Sequence, residues 1–342
     1  MKNIINFLII IGLNSCATAQ NVNKSDVKID TTAEKMLVYQ LANGGWPKQL
    51  QDKSVVKYEY PLTDTLLEKI KATSPLHATI DNEATTREIK ALVLAYKNTN
   101  NQKYLEVAEK GIDYLLEAQY ANGGWPQYYP DKSIYRTEIT YNDNAMINAL
   151  TVMLNIVYKT NGFEVVNAKY IPKAEDAIKR GIICILKTQV LQNGKPTIWA
   201  AQYDEDKLTP AKARAFEPAS LSTSESVGIV RFLMKLKNPS NEIKEVVKNA
   251  VDWFESTKIT GYKFAKMENG DRGLVAEDKA VSWARFYDLK TNKPIFGDRD
   301  NSIKYNIEEI SSERRNGYAW YGTFAQNFLA KEYPKWLKAN GE

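Results

Sequence analysis

A five-residue motif, Asn-Gly-Gly-Trp-Pro, occurs twice in the sequence, and each copy follows an amphipathic stretch and precedes an Asp-Asn pair. The first copy spans residues 43–47 with its pair at 81–82, and the second spans 122–126 with its pair at 143–144. A repeat of a whole unit restricts the architecture more strongly than local preferences do. The sequence therefore predicts similar units, each of which delivers a carboxylate to the same end of a helical fold.

A third, degraded copy of the motif lies at residues 193–196. Its loop carries Arg214 and Glu217 where the first two copies carry Asp-Asn. If pseudo-symmetry relates the copies, equivalent positions lie at equivalent places in the fold. We therefore predict that Asp81, Asp143 and Arg214 converge on one face of the molecule.

Structural roles explain parts of the motif equally well. The glycine pairs are typical of helix ends, and Trp46 and Trp125 are typical of core residues, although either ring could also stack on a sugar. Asp81 and Asp143 could cap the helices that follow them, because a carboxylate accepts hydrogen bonds from the free N–H groups at a helix start. Capping and a functional site are therefore alternatives for these two residues.

Apolar residues recur with the period of an α-helix along most of the chain. The predicted helices cover residues 32–41, 89–96, 104–116, 146–157, 174–190, 222–236, 243–254 and 322–338. Short strands are expected near 196–203 and 281–289. Paired helices in three copies predict a mostly α fold, an (α/α)3 toroid-like helical domain with a few short β-strands. No flexible linker divides residues 32–342, so we predict a single domain with its site on the loop face.

The first residues have the pattern of an export signal. Lys2 precedes the apolar run 4–13, which is too short to span a membrane. Cleavage after Ala19 and a lipoprotein signal that ends before a lipidated Cys16 are both open, and residues 20–31 are polar and expected to be disordered. We predict an exported protein without a transmembrane span: periplasmic, secreted, or an outer-membrane lipoprotein.

Composition excludes several classes of function. The chain has 46 Lys and Arg against 41 Asp and Glu and no basic run, so nucleic-acid binding is not predicted. His77 is the only histidine, which excludes His-rich zinc sites. Cys184 lies in an apolar run and is expected to be a buried free thiol. The chemistry is left to carboxylates and amides, which suit Ca²⁺, and to arginines, which suit carboxylate ligands.

Further motifs stand in order along the chain. They are Ala-Thr-Ile-Asp-Asn-Glu-Ala-Thr at 78–85, Tyr-Asn-Asp-Asn-Ala at 141–145, Ala-Arg-Ala-Phe-Glu at 213–217, Trp-Ala-Arg-Phe-Tyr at 283–287 and Phe-Gly-Asp-Arg-Asp at 296–300. Together with the repeated motif they resemble polysaccharide lyase family 10 pectate lyases over about residues 32–338. The resemblance implies an (α/α)3 toroid-like fold and calcium-dependent β-elimination of α-1,4-polygalacturonate to unsaturated oligogalacturonides.

The resemblance also implies roles for particular residues. Asp81 and Asp143 would hold a calcium ion that bridges enzyme and substrate, with Asn82 beside them. Arg299 would pair with the carboxylate of the reacting sugar. Arg214 carries over to the family's proposed Brønsted base, a role that conflicts with a guanidinium pKa above ~12. Alternatively, Arg214 only stabilises charge while hydroxide or another group takes the proton.

Other side chains are predicted to contact the substrate. Arg285 is the alternative to Arg299, because the Gly-Arg-Asp-Gly pattern expected in the family is altered around Arg299; its simpler role is a structural ion pair. Asn82 and Asn144 are predicted to bind substrate beside Asp81 and Asp143, and Asn82 is also a possible calcium ligand. Arg314 and Arg315 are predicted to bind distal sugars or else to lie in a solvated turn. The predicted partner is polygalacturonate, and the predicted state is a monomer.

Two other classes of function fit the same residues. An (α/α) glycoside hydrolase would use paired carboxylates, such as Asp81 and Asp143, as acid and base. A surface glycan-binding protein would keep the groove and lack turnover. A lyase alone makes a conjugated double bond, so product chemistry separates the three classes.

Overall fold

The computed structural model describes residues 28–340, and that part of the chain contains ten α-helices. They are α1 (Thr31–Tyr39), α2 (Asp64–Ala72), α3 (Thr86–Thr99), α4 (Gln102–Ala118), α5 (Ala145–Tyr158), α6 (Ile171–Thr188), α7 (Thr223–Leu233), α8 (Asn241–Ser256), α9 (Ser312–Gly317) and α10 (Tyr333–Ala339). The predicted signal peptide, Cys16 and most of residues 20–31 lie outside the described residues. No helix of the described part is both long and apolar enough to cross a membrane.

Consecutive helices pack as pairs, α3 with α4, α5 with α6 and α7 with α8. The link between α3 and α4 shows how the sequence makes such a turn. Asn100 ends α3 in the left-handed conformation with φ 57°, and Asn101 caps α4 by accepting a hydrogen bond from the N–H of Lys103. Helix α5 lies between α3 and α7, so the first helices of the three pairs stand side by side. This arrangement confirms the mostly α fold built from three helical pairs.

The repeated motif performs the same packing task in each unit. The indole N–H groups of Trp46, Trp125 and Trp199 donate to backbone carbonyls of the preceding helix at 2.7–2.8 Å, and all three rings are fully buried. A glutamine stands just before each copy of the motif: Gln40, Gln119 and Gln189. Its side-chain amide nitrogen donates both to a carbonyl in or directly after the motif and to a carbonyl of the second helix of a pair, which is α4, α6 or α8 respectively. The tryptophans are therefore core residues, and the suggestion that Trp46 and Trp125 stack on sugars is wrong.

Short strands join neighbouring units near the helix starts. Strand β1 (Ile139–Thr140) pairs with β4 (Gln202–Tyr203), and β5 (Leu221–Ser222) pairs with β8 (Phe286–Tyr287). A backbone bridge from Thr79 to Tyr128 makes the equivalent link between the first two units. The segment after each tryptophan is thus held against the segment that leads into α3, α5 or α7, the first helix of a pair. The loops of successive units are brought to one face in this way.

A long hairpin departs from the prediction of short strands only. Strands β6 (Ile259–Lys266) and β7 (Arg272–Ala284) pair in an antiparallel hairpin, and β11 (Tyr321–Gly322) extends it on the other side of β7. The other strands are β2 (Leu191–Gln192), β3 (Lys195–Pro196), β9 (Phe296–Gly297) and β10 (Ile303–Lys304). The predicted helix 322–338 begins only at Phe328, because Tyr321 and Gly322 pair with β7.

Candidate active site

Asp81 and Asp143 lie in tight turns that lead directly into α3 and α5. In these turns Asn82, Asp143 and Asn144 have positive φ values of 49°, 50° and 59°. Asn and Asp adopt this left-handed conformation more readily than most residues, which explains their use here. The cap positions are Thr85 and Asn144, and neither makes a side-chain cap hydrogen bond. The capping alternative for Asp81 and Asp143 is therefore wrong.

The three predicted functional residues converge in one polar pocket of about 110 Å³. Its lining comprises Lys48, Asp81, Asn82, Gln127, Tyr135, Asn142, Asp143, Gln202, Ala213, Arg214 and Glu217. The walls come from all three repeat units, as pseudo-symmetry predicts. The pocket thus combines carboxylates, amides and cations with almost no apolar surface.

Asp81 is paired with a cation that the sequence analysis missed. The Lys48 ammonium donates to Asp81 Oδ2, and the aspartate is only 3 % exposed. Burial lowers the pKa of Lys48, but the charge of Asp81 outweighs this effect and raises it overall. Lys48 is thus a charged ammonium that neutralises the Asp81 carboxylate.

Asp143 has a different environment. Its Oδ2 accepts a hydrogen bond from the Asn142 amide at 2.9 Å, and no ion pair to Asp143 occurs within residues 28–340. Desolvation, reinforced by the negative charges of Glu225 and Asp81, raises the pKa of Asp143. Asp143 lies near other carboxylates and has no cation paired with it. Its surroundings therefore favour the binding of a metal ion or another positive charge.

Arg214 is held by the acid three residues after it. Its Nε donates to Glu217 Oε2 at 2.7 Å and its Nη2 donates to Glu217 Oε1, while the Tyr318 hydroxyl also donates to Oε1 at 2.8 Å. The hydrogen bonds to Glu217 raise the pKa of Arg214 further above its ordinary value. The guanidinium is therefore charged, which opposes its use as a base while Glu217 is in place.

Three arginines surround one aromatic ring beside the pocket. The guanidinium carbons of Arg214, Arg299 and Arg314 lie 4.8, 5.7 and 4.4 Å from the ring centre of Phe216. Glu313 pairs with both Arg299 and Arg314, and its two contacts to Arg299 are 2.9 Å long. Arg299 is 62 % exposed, so its guanidinium is within reach of a ligand although it does not line the pocket.

Arg285 forms a buried ion pair instead of lining the pocket. Its Nη2 lies 2.7 Å from Glu225 Oε1, and the two side chains are 14 % and 2 % exposed. Glu225 also accepts a hydrogen bond from Ser222. The alternative prediction of a structural ion pair thus describes Arg285, although its charge still acts on Asp143.

Two other predicted substrate contacts are not brought to the pocket. Arg315 pairs with Asp271 at 2.5 Å and donates to two backbone carbonyls, so it fastens α9 to the β6–β7 turn. Asn144 faces α7, where its Oδ1 lies so close to Gly228 that no side chain would fit there. The solvated turn suggested for Arg314 and Arg315 is also wrong, since Arg314 is buried.

The remaining predictions concern the Cys184 thiol and the His77 imidazole. Cys184 is a buried free thiol, as expected, and burial raises its pKa to about 11. His77 does not line the pocket, and burial lowers its pKa. Neither residue belongs to the site.

Sequence reasoning missed Lys48, Gln127 and Gln202, although a signal exists. Lys48 and Gln127 each stand two residues after a motif tryptophan, and Gln202 stands three residues after Trp199. Because the tryptophan is anchored in the core, the chain beyond it always passes the pocket. The positions after each motif tryptophan were therefore the ones to examine.

The donor set fits calcium only if other molecules complete it. Asp81, Asp143 and the nearby amides supply hard oxygen atoms, and calcium takes six to eight of them. Within residues 28–340, however, no group of three His, Cys, Asp or Glu side chains could hold a metal ion. The protein thus offers two carboxylates and some amides, and substrate and water would have to supply the rest.

Comparison with known proteins identifies the class. The chain is 36 % identical to a family 10 polysaccharide lyase from Cellvibrio cellulosa, with a TM-score of 0.81 over 89 % of this chain and 91 % of that one. A mutant of that lyase in complex with trigalacturonic acid is similar at 36 % identity, with a TM-score of 0.80 and coverage of 89 % and 92 %. The helical toroid with this pocket is therefore a polysaccharide lyase.

The family follows from the sequence match. Residues 40–329 match the family model described as pectic acid lyase. The chain belongs to this family, and it is a pectate lyase enzyme. No curated protein matches the chain. The resemblance to family 10 and the (α/α)3 toroid-like fold are confirmed, and a glycoside hydrolase or a non-catalytic binder is not supported.

Proposed function

We propose that this pectate lyase cleaves α-1,4-polygalacturonate by β-elimination and that it requires calcium. One observation carries the proposal: Asp81, Asp143 and Arg214 line the same pocket, although they lie far apart in the sequence. The relative in complex with trigalacturonic acid supports galacturonate oligomers as the substrate class. The products would be unsaturated oligogalacturonides.

The reaction explains why such a pocket is needed. Elimination removes the proton from C5 of a galacturonate, forms the C4–C5 double bond and expels the oxygen on C4 with its electron pair. The C5 proton lies next to a carboxylate, so its removal adds negative charge to an anion. Calcium on Asp81 and Asp143 would supply the charge that neutralises this carboxylate, and fixed cations lower the barrier in the same way.

Arg214 is the catalytic residue in this proposal, and its charged form defines what it does. The guanidinium donates to Glu217 through Nε and Nη2, which leaves its remaining N–H groups for substrate. A planar cation in that position stabilises the charge that develops as the proton leaves. Hydroxide or another group then takes the proton. A neutral Arg214 base would first require the loss of its pairing with Glu217.

Arg299 would bind the carboxylate of the reacting sugar, as the sequence analysis predicts. Its guanidinium already binds a carboxylate, that of Glu313, in a two-point geometry. A galacturonate carboxylate has the same shape and charge as the Glu313 side chain. We infer that substrate exchanges with Glu313 at this exposed arginine.

The test is the chemistry of the product. Purified protein is mixed with polygalacturonate, and ultraviolet absorbance and reducing ends are both measured. We expect both signals to rise together, since each elimination makes one conjugated double bond and one reducing end. Reducing ends without absorbance would contradict β-elimination. A neutral glucan serves as the control polymer and should give neither signal.

We also propose that the protein is exported, on the basis of the signal-like residues 1–19. A polymer of galacturonate meets its enzyme outside the cytoplasm, which agrees with this. Mass spectrometry of the mature protein would distinguish cleavage after Ala19 from a lipid on Cys16. A full leader on protein recovered from the cytoplasm would contradict export. Sedimentation in an analytical ultracentrifuge would test the predicted monomeric state.

A further inference from the structure

The Lys48–Asp81 contact is built into the backbone of the first repeat. Lys48 follows the buried Trp46, and Pro47 forms a backbone bridge with Ala78. The N–H of Thr79 also donates to the carbonyl of Trp46. These bonds hold the two segments side by side, so the ammonium is delivered to the carboxylate by the fold rather than by chance.

The charges around the Lys48–Asp81 pair determine whether this site suits a divalent cation. Asp81 is buried and has Lys48 as its ion-pair partner. Asp143, the other carboxylate assigned to the metal, has no ion-pair partner within residues 28–340. With Lys48 in contact, the three side chains together carry one negative charge; without it, the two carboxylates carry two, which match a divalent cation.

A divalent cation on Asp81 would lie beside the Lys48 ammonium. Two positive charges on one carboxylate repel each other, and a partly buried site screens that repulsion poorly. The Lys48 side chain is 28 % exposed, and its flexible stem lets the ammonium withdraw. The metal and the ammonium are therefore alternatives at Asp81.

We propose that Lys48 is a tethered cation that occupies Asp81 in the metal-free protein and competes with calcium for this carboxylate. The inference rests on the proposed calcium dependence. Lys48 keeps the buried aspartate neutralised until metal arrives, and it thereby weakens calcium binding. After displacement the ammonium stays in the pocket, where it faces the anionic substrate.

The test is a calorimetric titration with calcium chloride, without any oligosaccharide. Lys48→Met removes the charge and keeps the length of the side chain, whereas Lys48→Arg keeps the charge. We expect Lys48→Met to bind calcium about 5- to 10-fold more tightly than wild type, the lower range of typical coupling between sites, and Lys48→Arg to show no gain. Lys69→Met, which removes an exposed pair with Asp52, is the matched control and should leave the affinity unchanged.

Thermal unfolding gives a second measurement. Without Lys48 the buried Asp81 lacks a cation until metal binds, so calcium should raise the Tm of Lys48→Met more than that of wild type. Lys48→Gln provides the same comparison if the methionine variant does not fold. Equal or weaker calcium binding in the neutral variants would overturn the inference and leave the metal site intact. No calcium binding in any of these proteins would overturn the inference, and the effect of chelator on the activity of the wild-type enzyme would then decide the calcium requirement separately.

Discussion

Arg214 and Glu217 form a two-point ion pair at the edge of the pocket, with Nε 2.7 Å from Oε2. The pair raises the pKa of Arg214 further and, despite burial, lowers the pKa of Glu217. Both groups are therefore charged at neutral and alkaline pH. Glu217 thereby fixes the orientation of the Arg214 guanidinium plane relative to the substrate.

Substitution of Glu217 should separate two roles of Arg214. If Arg214 stabilises charge, Glu217→Gln disturbs its orientation and should lower kcat by about 10- to 100-fold. If neutral Arg214 were the base, the same change would lower its pKa and increase the rate. Steady-state kinetics on polygalacturonate at several pH values decide between the two. A faster enzyme would contradict our assignment.

Substitution of Arg214 itself should abolish most of the turnover. Arg214→Ala and Arg214→Lys should each lose at least ~10²-fold in kcat, because a group that acts on the transition state lowers kcat and kcat/KM together. Lysine should fail since it cannot present the planar fork. A wild-type kcat with only KM altered would make Arg214 a binding group.

Removal of calcium should stop the reaction. Excess chelator should abolish the ultraviolet signal, and added calcium should restore it, because the ion that Asp81 and Asp143 would hold in the pocket supplies the charge that neutralises the substrate carboxylate. The measurement is the rate of product absorbance before and after each addition. Full activity in excess chelator would refute the assignment of Asp81 and Asp143 as ligands.

Replacement of Asp143 should affect turnover far more than stability. Asp143→Asn keeps the left-handed turn, in which φ is 50°, and removes the charge. We expect a loss of at least ~10²-fold in calcium-dependent rate, with an unfolding midpoint close to that of wild type because the carboxylate caps no helix. Asp176→Asn, at an exposed pair on α6, is the control and should behave as wild type.

Substitutions of Arg285 and Arg299, the two alternatives for binding the substrate carboxylate, should affect different properties of the enzyme. Arg285→Met leaves the buried Glu225 without its cation and should cost about 3 kcal/mol in the free energy of unfolding. Arg299→Met should raise KM without shifting the unfolding midpoint, since its pair with Glu313 is exposed. Urea unfolding and steady-state kinetics of both variants provide the comparison. Equal stability of the two variants would contradict the structural role of Arg285.

The sequence by itself determined the repeat and most of what the repeat implies. The motif tryptophans and the helical periodicity fixed paired helices, and the repeated Asp-Asn pairs located the loop face. Asp81, Asp143 and Arg214 could be predicted to meet because equivalent positions in repeated units occupy equivalent places. Lys48 and Gln127 carried the same signal, two residues after each Asn-Gly-Gly-Trp-Pro tryptophan.

The tertiary structure alone decided which charges neutralise one another. Arg285, Arg299 and Arg315 look alike in sequence, yet one is buried with Glu225, one is exposed with Glu313 and one fastens α9 to the hairpin. Ion pairs depend on distances of a few ångströms between segments far apart in the chain, and on burial, which sets the strength of each pair. Local sequence contains neither quantity, so it could name the charged residues of this enzyme but not assign their partners.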